Sequence, residues 1–421
     1  MKNLLLIVII VIGFLGDRVL ASNNNSVNAE MILGNSDYMA MSYSGYRHRD
    51  RNKVPTVADI KEDMKILSAM GIKLIRTYDA QLFDHAINVL KAIRELKNEN
   101  PDFEMYVMQG VWIDCKGART DNPDHSKGDF ENNSAEIKAA IKMAQEYPDI
   151  VKIIAVGNEA MVHWAASYFV TPDIILRWVN HLQDLKTDGQ LPTDLWITSS
   201  DNFASWGGGG SEYHTEDLVK LIKAVDFISL HSYPFHDSHY NPDYWLDFDK
   251  SKDESKIDRV NNAMLRARSF VEGQVASTKE YLNRIGVKKA IHIGETGWAT
   301  KANKTNNFYG AGGSGAADEY KEKLFYDHIR QWSDEQGMSV FYFEAFDEPW
   351  KDSKNLLGTE NHFGLFTVDG KAKYALWNLV DNGIFDGLTR GGKPITKTYN
   401  GSIQALKKDI LPVTDSKRTI K

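Results

Sequence analysis

Two apolar runs in this chain stop abruptly at a carboxylate. Ile153-Ile154-Ala155-Val156-Gly157-Asn158-Glu159 is the first, and Ala290-Ile291-His292-Ile293-Gly294-Glu295 is the second, 136 residues later. Two carboxyl groups brought face to face are the equipment of glycosidic bond cleavage. One gives a proton to the leaving oxygen, and the other attacks or shields the sugar cation. A separation of about 5–5.5 Å predicts retention of anomeric configuration, and about 6.5–9.5 Å predicts inversion. Asn158, next to Glu159, supplies an amide able to hold a sugar 2-hydroxyl.

Two strand ends meet only if the fold gathers them. Apolar runs of strand length cover residues 38–43, 72–78, 103–112, 151–158, 195–199, 225–231, 289–295 and 339–344. Helical spacing fills 57–70, 82–96, 135–147, 172–185, 215–224, 257–285 and 316–332 between them. Strict alternation of strand and helix implies a parallel sheet, and eight such units predict a closed (β/α)8 TIM barrel, an α/β fold in a single domain over 37–384. The alternative is an open doubly wound sheet. Gly207 to Gly210 offers four glycines for it but not the G-x-G-x-x-G spacing.

A barrel of this class carries its site at the C-terminal strand ends. Reading them in order gives Tyr43; Arg76 and Tyr78; Trp112; Asn158 and Glu159; Asp201, Asn202 and Trp206; His231 and Tyr233; Glu295 and Trp298; then Glu344, Phe346, Asp347, Glu348, Trp350 and Lys351. Any one tryptophan is as readily a core residue. Trp112, Trp164, Trp206, Trp245, Trp298 and Trp350 together, six of the ten in the chain, point to aromatic platforms for sugar rings. The loop 235–253 is expected to wall one side of the groove.

The formal net charge of −7 argues against a nucleic-acid partner. Residues 1–21 have the form of an export signal: Lys2, an apolar run from Leu4 to Leu15, and Val19-Leu20-Ala21 before a cleavage point. The run is shorter than the ~20 residues that span a bilayer. A secreted or periplasmic monomer, free of the membrane once cleaved, is expected. Residues 22–36 are expected to be a disordered lead-in, and 385–421 a C-terminal extension with a helix from Ser402 to Ile410. Cys115 is the one cysteine, so no internal disulfide is available, and a packing role is expected for it. No metal-ligand spacing is present, and neither metal nor cofactor is expected. Asn24, Asn132, Asn303 and Asn400 each open an N-x-[ST] triplet.

As a set, Ile75-Arg76-Thr77-Tyr78-Asp79, Val156-Gly157-Asn158-Glu159, His231-Ser232-Tyr233-Pro234, Gly294-Glu295-Thr296-Gly297-Trp298 and Glu344-Ala345-Phe346-Asp347-Glu348-Pro349-Trp350-Lys351 resemble glycoside hydrolase family 17, in its bacterial and fungal branch. Phe363-Gly364-Leu365-Phe366 fits the family's closing segment. The resemblance spans roughly residues 37–380. It implies β-glucan as substrate, Glu159 as acid/base and Glu295 as nucleophile of a retaining mechanism. It also implies that Tyr78, Tyr233 and Phe346 line the subsite of the cleaved sugar, with Glu348 and Lys351 in support. Glu344 is an alternative to Glu348, or structural. Three readings follow: an endo-β-1,3-glucanase, a glucanosyltransferase on the same site, and a non-catalytic glucan-binding barrel.

Overall fold

The computed structural model describes residues 27–246, 254–302 and 313–415. The expected export signal, the start of the lead-in, residues 247–253 of the wall loop, and the triplets at Asn24 and Asn303 lie outside these residues.

Eight parallel strands close into a barrel: β1 (Met39–Ser42), β2 (Ile72–Arg76), β3 (Tyr106–Val111), β4 (Val151–Asn158), β5 (Trp196–Asn202), β6 (Ile228–His231), β7 (Ile291–Gly297) and β8 (Val340–Phe343). Each pairs with its sequence neighbours, and Met41 of β1 against Tyr342 of β8 closes the ring. Seven helices alternate with them: α1 (Val57–Ala69), α2 (His85–Glu99), α3 (Phe130–Glu146), α4 (Pro172–Thr187), α5 (Glu216–Ala224), α6 (Lys256–Arg284) and α7 (Glu319–Glu335).

The period-2 alternation of the strands divides the apolar side chains into two layers. Ala40, Leu74, Met108, Ile153, Ala155, Phe227 and Phe341 pack together inside the barrel. Met41, Ile75, Val107, Ile154 and Ile197 point outward to the helices. Local signals fix the helix ends. Thr56 and Asp59 form a reciprocal capping box at the start of α1. Ser255 caps the 29-residue α6.

Three features depart from the sequence reading. The lead-in is not wholly disordered: Ala29–Ile32 is a short helix capped by Asn28. Ala29, Ile32 and Leu33, at i, i+3 and i+4, make one apolar face that joins the interior cluster. A two-stranded hairpin (Cys115–Lys116 with Asp124–Gly128) follows β3, where Asp-His-Ser-Lys-Gly has no apolar alternation to announce it. The segment after 384 is tied to the barrel. Arg390 is fully buried and donates to both oxygens of Asp63 on α1, at 2.9 and 3.2 Å. The C-terminal helix runs Ile403–Asp409, close to expectation.

Candidate active site

Glu159 and Glu295 reach the barrel mouth by the same local device. Between β4 and β5, Ala155 pairs with Thr198 but Asn158 pairs with Ser200, so β4 carries one extra residue. Between β6 and β7, Leu230 pairs with Ile293 but His231 pairs with Glu295, so β7 carries one as well. Such a bulge re-aims the side chains that follow it. The glycines before each glutamate fit these positions. Gly157 has φ +88°, where a side chain is strained. At Gly294 a β-carbon would overlap the hydroxyls of Ser229 and Ser200. Glu159 itself sits at φ +47°, an uncommon conformation for a non-glycine residue.

The two carboxylates have different neighbours. Arg76 donates to Glu295 Oε2 at 2.5 Å, to the Gly294 carbonyl at 3.0 Å and, from its other nitrogen, to Asn158 Oδ1 at 2.6 Å. Tyr78 donates to Glu295 Oε2 at 3.0 Å and Tyr233 to Oε1 at 2.5 Å. The guanidinium also fixes the Asn158 amide: with Oδ1 engaged, its NH2 is left to donate elsewhere. Glu159 has a sparser shell, with His231 Nδ1 3.2 Å from Oε1.

The titration behaviour follows. Burial and the charge of Glu295 raise the Glu159 carboxyl from 4.5 to about 8. Burial acts the same way on Glu295, but a protonated His231, Arg76, the Tyr233 hydrogen bond and Lys351 outweigh it, and that carboxyl lies below 4.5. Burial pushes His231 down to about 4. At neutral pH it is therefore uncharged, and Arg76 is the cation that holds Glu295 ionised. One carboxylic acid and one carboxylate result from identical side chains, which is how a glycosidase assigns its two roles.

A second cluster stands beside β8. Lys351 Nζ lies 3.2 Å from Glu344 and 3.6 Å from Glu348. Trp350 Nε1 and the Tyr46 amide donate to Glu348 at 3.0 and 3.1 Å. Burial and the charge of Glu348 raise the Glu344 carboxyl well above 4.5. The lysine favours ionised Glu295 from a distance, and burial raises the Glu348 carboxyl as well as that of Glu344.

Of the expected sugar contacts, Tyr78, Tyr233, Trp112 and Trp350 are partly exposed at the mouth. Trp112 donates to Asp114, and its ring tilts against Tyr168 at 5.7 Å. Asn202 is partly exposed, but its side-chain oxygen accepts the Ala204 amide in a local turn. Several expectations are overturned by burial. Trp298 is fully buried, donates to the Ala316 carbonyl and packs on Phe325 at 5.1 Å, so it is core. Trp206 and Trp245 are fully buried too. Tyr43 is fully buried and donates to Asp63. Phe346 lies under Arg390, 3.9 Å from its ring centroid, and stacks on Phe366. Arg76 and His231 are buried beneath the glutamates and position them rather than face solvent.

Besides Asp201, which the strand-end reading includes, two groups here escape the sequence reading. Asp201 accepts the Met161 and Asn202 amides at 2.7 Å each, and burial raises its carboxyl to about 7. His236, on the short helix Pro234–Tyr240 after β6, and Glu360, on the 3-10 turn Thr359–Asn361 after β8, form a pair at 3.8 Å. No motif marks them, because such short elements carry no periodic signal. Among the described residues, no cluster of three or more His, Cys, Asp or Glu could hold a metal ion, and no helix is long and apolar enough to cross a membrane.

Comparison with known proteins agrees with this fold and places the chain in a family. Residues 40–364 match the family described as the BtgE/BtgC glycoside hydrolase domain. A solved endo-laminarinase from Formosa Hel1_33_131 is 60% identical, with a TM-score of 0.89 over 92% of this chain and 98% of that one. A glucan 1,3-beta-glucosidase of Arthroderma benhamiae is 24% identical over 322 residues, 75% of this chain and 83% of that protein. A glycoside hydrolase family 17 beta-1,3-glucanosyltransferase from Rhizomucor miehei, at 18% identity and TM-score 0.54 over 80% of this chain and 96% of that one, shares the fold. With its barrel closed and residues 40–364 matched, the chain belongs to the BtgE/BtgC glycoside hydrolase domain family and is a family 17-type glycoside hydrolase.

Proposed function

We propose that this protein is an exported endo-β-1,3-glucanase that cuts internal bonds of laminarin-like chains with retention of configuration. The observation that carries the reading is the opposite bias of the two carboxyls at the ends of β4 and β7. The 60% identity to a protein named an endo-laminarinase supports the substrate class.

In the first step Glu295 attacks the anomeric carbon, the bond to the leaving oxygen breaks, and Glu159 gives that oxygen its proton. The Asn158 amide meets the sugar 2-hydroxyl, a contact that strengthens in the transition state. In the second step water attacks the same carbon, Glu159 takes its proton, and Glu295 is released. Arg76, Tyr78 and Tyr233 solvate Glu295 as an anion before and after the covalent stage. Residues 1–21 are read as the export signal.

Glu295→Gln and Glu159→Gln should each leave a folded protein with almost no turnover of laminarin. Normal turnover in either would sink the assignment. Trp164, 62% exposed on the segment after Glu159, favours a second reading, in which a glucan acceptor replaces the water. Sizing laminarin digests over time separates the two: hydrolysis gives only shorter chains, and transfer gives some longer than the substrate.

A further inference from the structure

We propose that Ser200 and Ser229 are positioning residues that lock His231 in one tautomer, so that the proton Glu159 transfers is confined to its Oε2. The inference rests on the acid/base role of Glu159. A chain of hydrogen bonds runs inward from that carboxylate. Its Oε1 lies 3.2 Å from His231 Nδ1. His231 Nε2 lies 2.7 Å from Ser200 Oγ, which lies 2.8 Å from Ser229 Oγ. His231 and both serines are fully buried in the barrel.

A neutral imidazole has one donor and one acceptor nitrogen. If Ser200 donates to Nε2, then Nδ1 carries the hydrogen and donates to Glu159 Oε1. Ser229 fits this direction, because its hydroxyl can donate to the oxygen of Ser200. With Oε1 always an acceptor, the proton of the acid form resides on Oε2. The same bond serves the base form, since a carboxylate accepts at Oε1 while Oε2 takes the proton of water. No rearrangement separates the two steps.

Gly294 is an independent sign that this chain has a reserved space. A β-carbon there would overlap Ser229 Oγ and Ser200 Oγ together. The residue before the nucleophile thus leaves room for hydroxyls serving the acid/base. Other charged and titratable groups face Glu159: Glu295 and Arg76 from β7 and β2, His236 and Glu360 from the segments after β6 and β8, and Asp201 and Tyr168 beside β5 and β4.

Nitrogen-15 NMR of histidine-labelled wild-type protein, with His231 assigned by its loss in His231→Gln, reads the tautomer directly. The hydrogen is expected on Nδ1, and a hydrogen on Nε2 would overturn the proposal. Ser200→Ala is expected to mix the tautomers and to lower kcat/KM on laminarin by about tenfold, the worth of one buried hydrogen bond. The loss should be smaller on an aryl laminaribioside whose leaving group needs no proton. The alkaline limb of its pH profile should move upward, because ionised Glu159 loses a donor. An unmoved limb with equal losses on both substrates would mean a structural serine only. Should Ser200→Ala fail to fold, the wild-type spectrum decides alone. If Glu159→Gln keeps its activity, the acid/base reading fails first. If that variant is dead and His231 carries its hydrogen on Nε2, only the tautomer lock fails.

Discussion

Glu159 and Glu295 differ only in what surrounds them, and that difference predicts a bell-shaped pH profile. On the proposed mechanism, activity needs Glu295 ionised and Glu159 protonated. It should fall on the acid side as Glu295 takes up a proton, below the ordinary 4.5, and on the alkaline side near 8 as Glu159 loses its own. Measuring kcat/KM against pH on laminarin checks both limbs. Arg76→Lys should lower kcat/KM about 100-fold and move the acid limb upward. An ammonium cannot reach Glu295, the Gly294 carbonyl and Asn158 in one fork. The same burial costs stability. Glu159 holds its proton up to about 8 when folded, against ~4.3 for an unfolded glutamate. Stability from this group is complete below ~4.3 and is lost as pH rises through about 8. Glu159→Gln should therefore gain stability over the parent on going from about pH 5 to about pH 8 in urea unfolding, and a constant difference would refute the linkage.

At the scale of elements, the bulges in β4 and β7 convert buried strands into carriers of chemistry. Gly294→Ala would push a methyl group into Ser229 and Ser200 and should cost about 1–3 kcal/mol. Adding Ser229→Ala should recover part of it, as a double-mutant cycle would report. The tryptophans divide by the same reasoning. Trp298→Ala empties a core site and should cost about 3–5 kcal/mol in stability, leaving KM little changed in whatever remains folded. Trp350→Ala, at the mouth, should raise KM for laminarin instead.

At the scale of the molecule, the closed barrel is held by ties distant in sequence. Arg390 and Asp63 are both fully buried, and Tyr43 and Arg47 also bond Asp63. Arg390→Met removes one of the two guanidinium partners of a buried carboxylate and should cost about 1.5–3 kcal/mol, seen as a lowered denaturation midpoint. An unchanged midpoint would show that the segment after 384 is an appendage.

The sequence by itself determined the alternation of strands and helices, because buried strands and amphipathic helices have periods legible within ten to fifteen residues. It singled out Glu159 and Glu295 as candidates as well, since each ends an apolar run within two residues of a glycine. Which aromatics face sugar was not legible. Trp298 and Trp350 both follow strand ends, and packing against Phe235, Trp245 and Phe325 buries the first. Tyr43 meets Phe346, and Arg390 meets the Gly45 carbonyl, each across more than 300 residues of chain, which no local pattern encodes. The protonation states were likewise left to the tertiary structure. A carboxyl's affinity for its proton depends on solvent exclusion and on charges a few ångströms away, and these come from β2, β6 and the loops after β8 rather than from the glutamate's own neighbours in sequence.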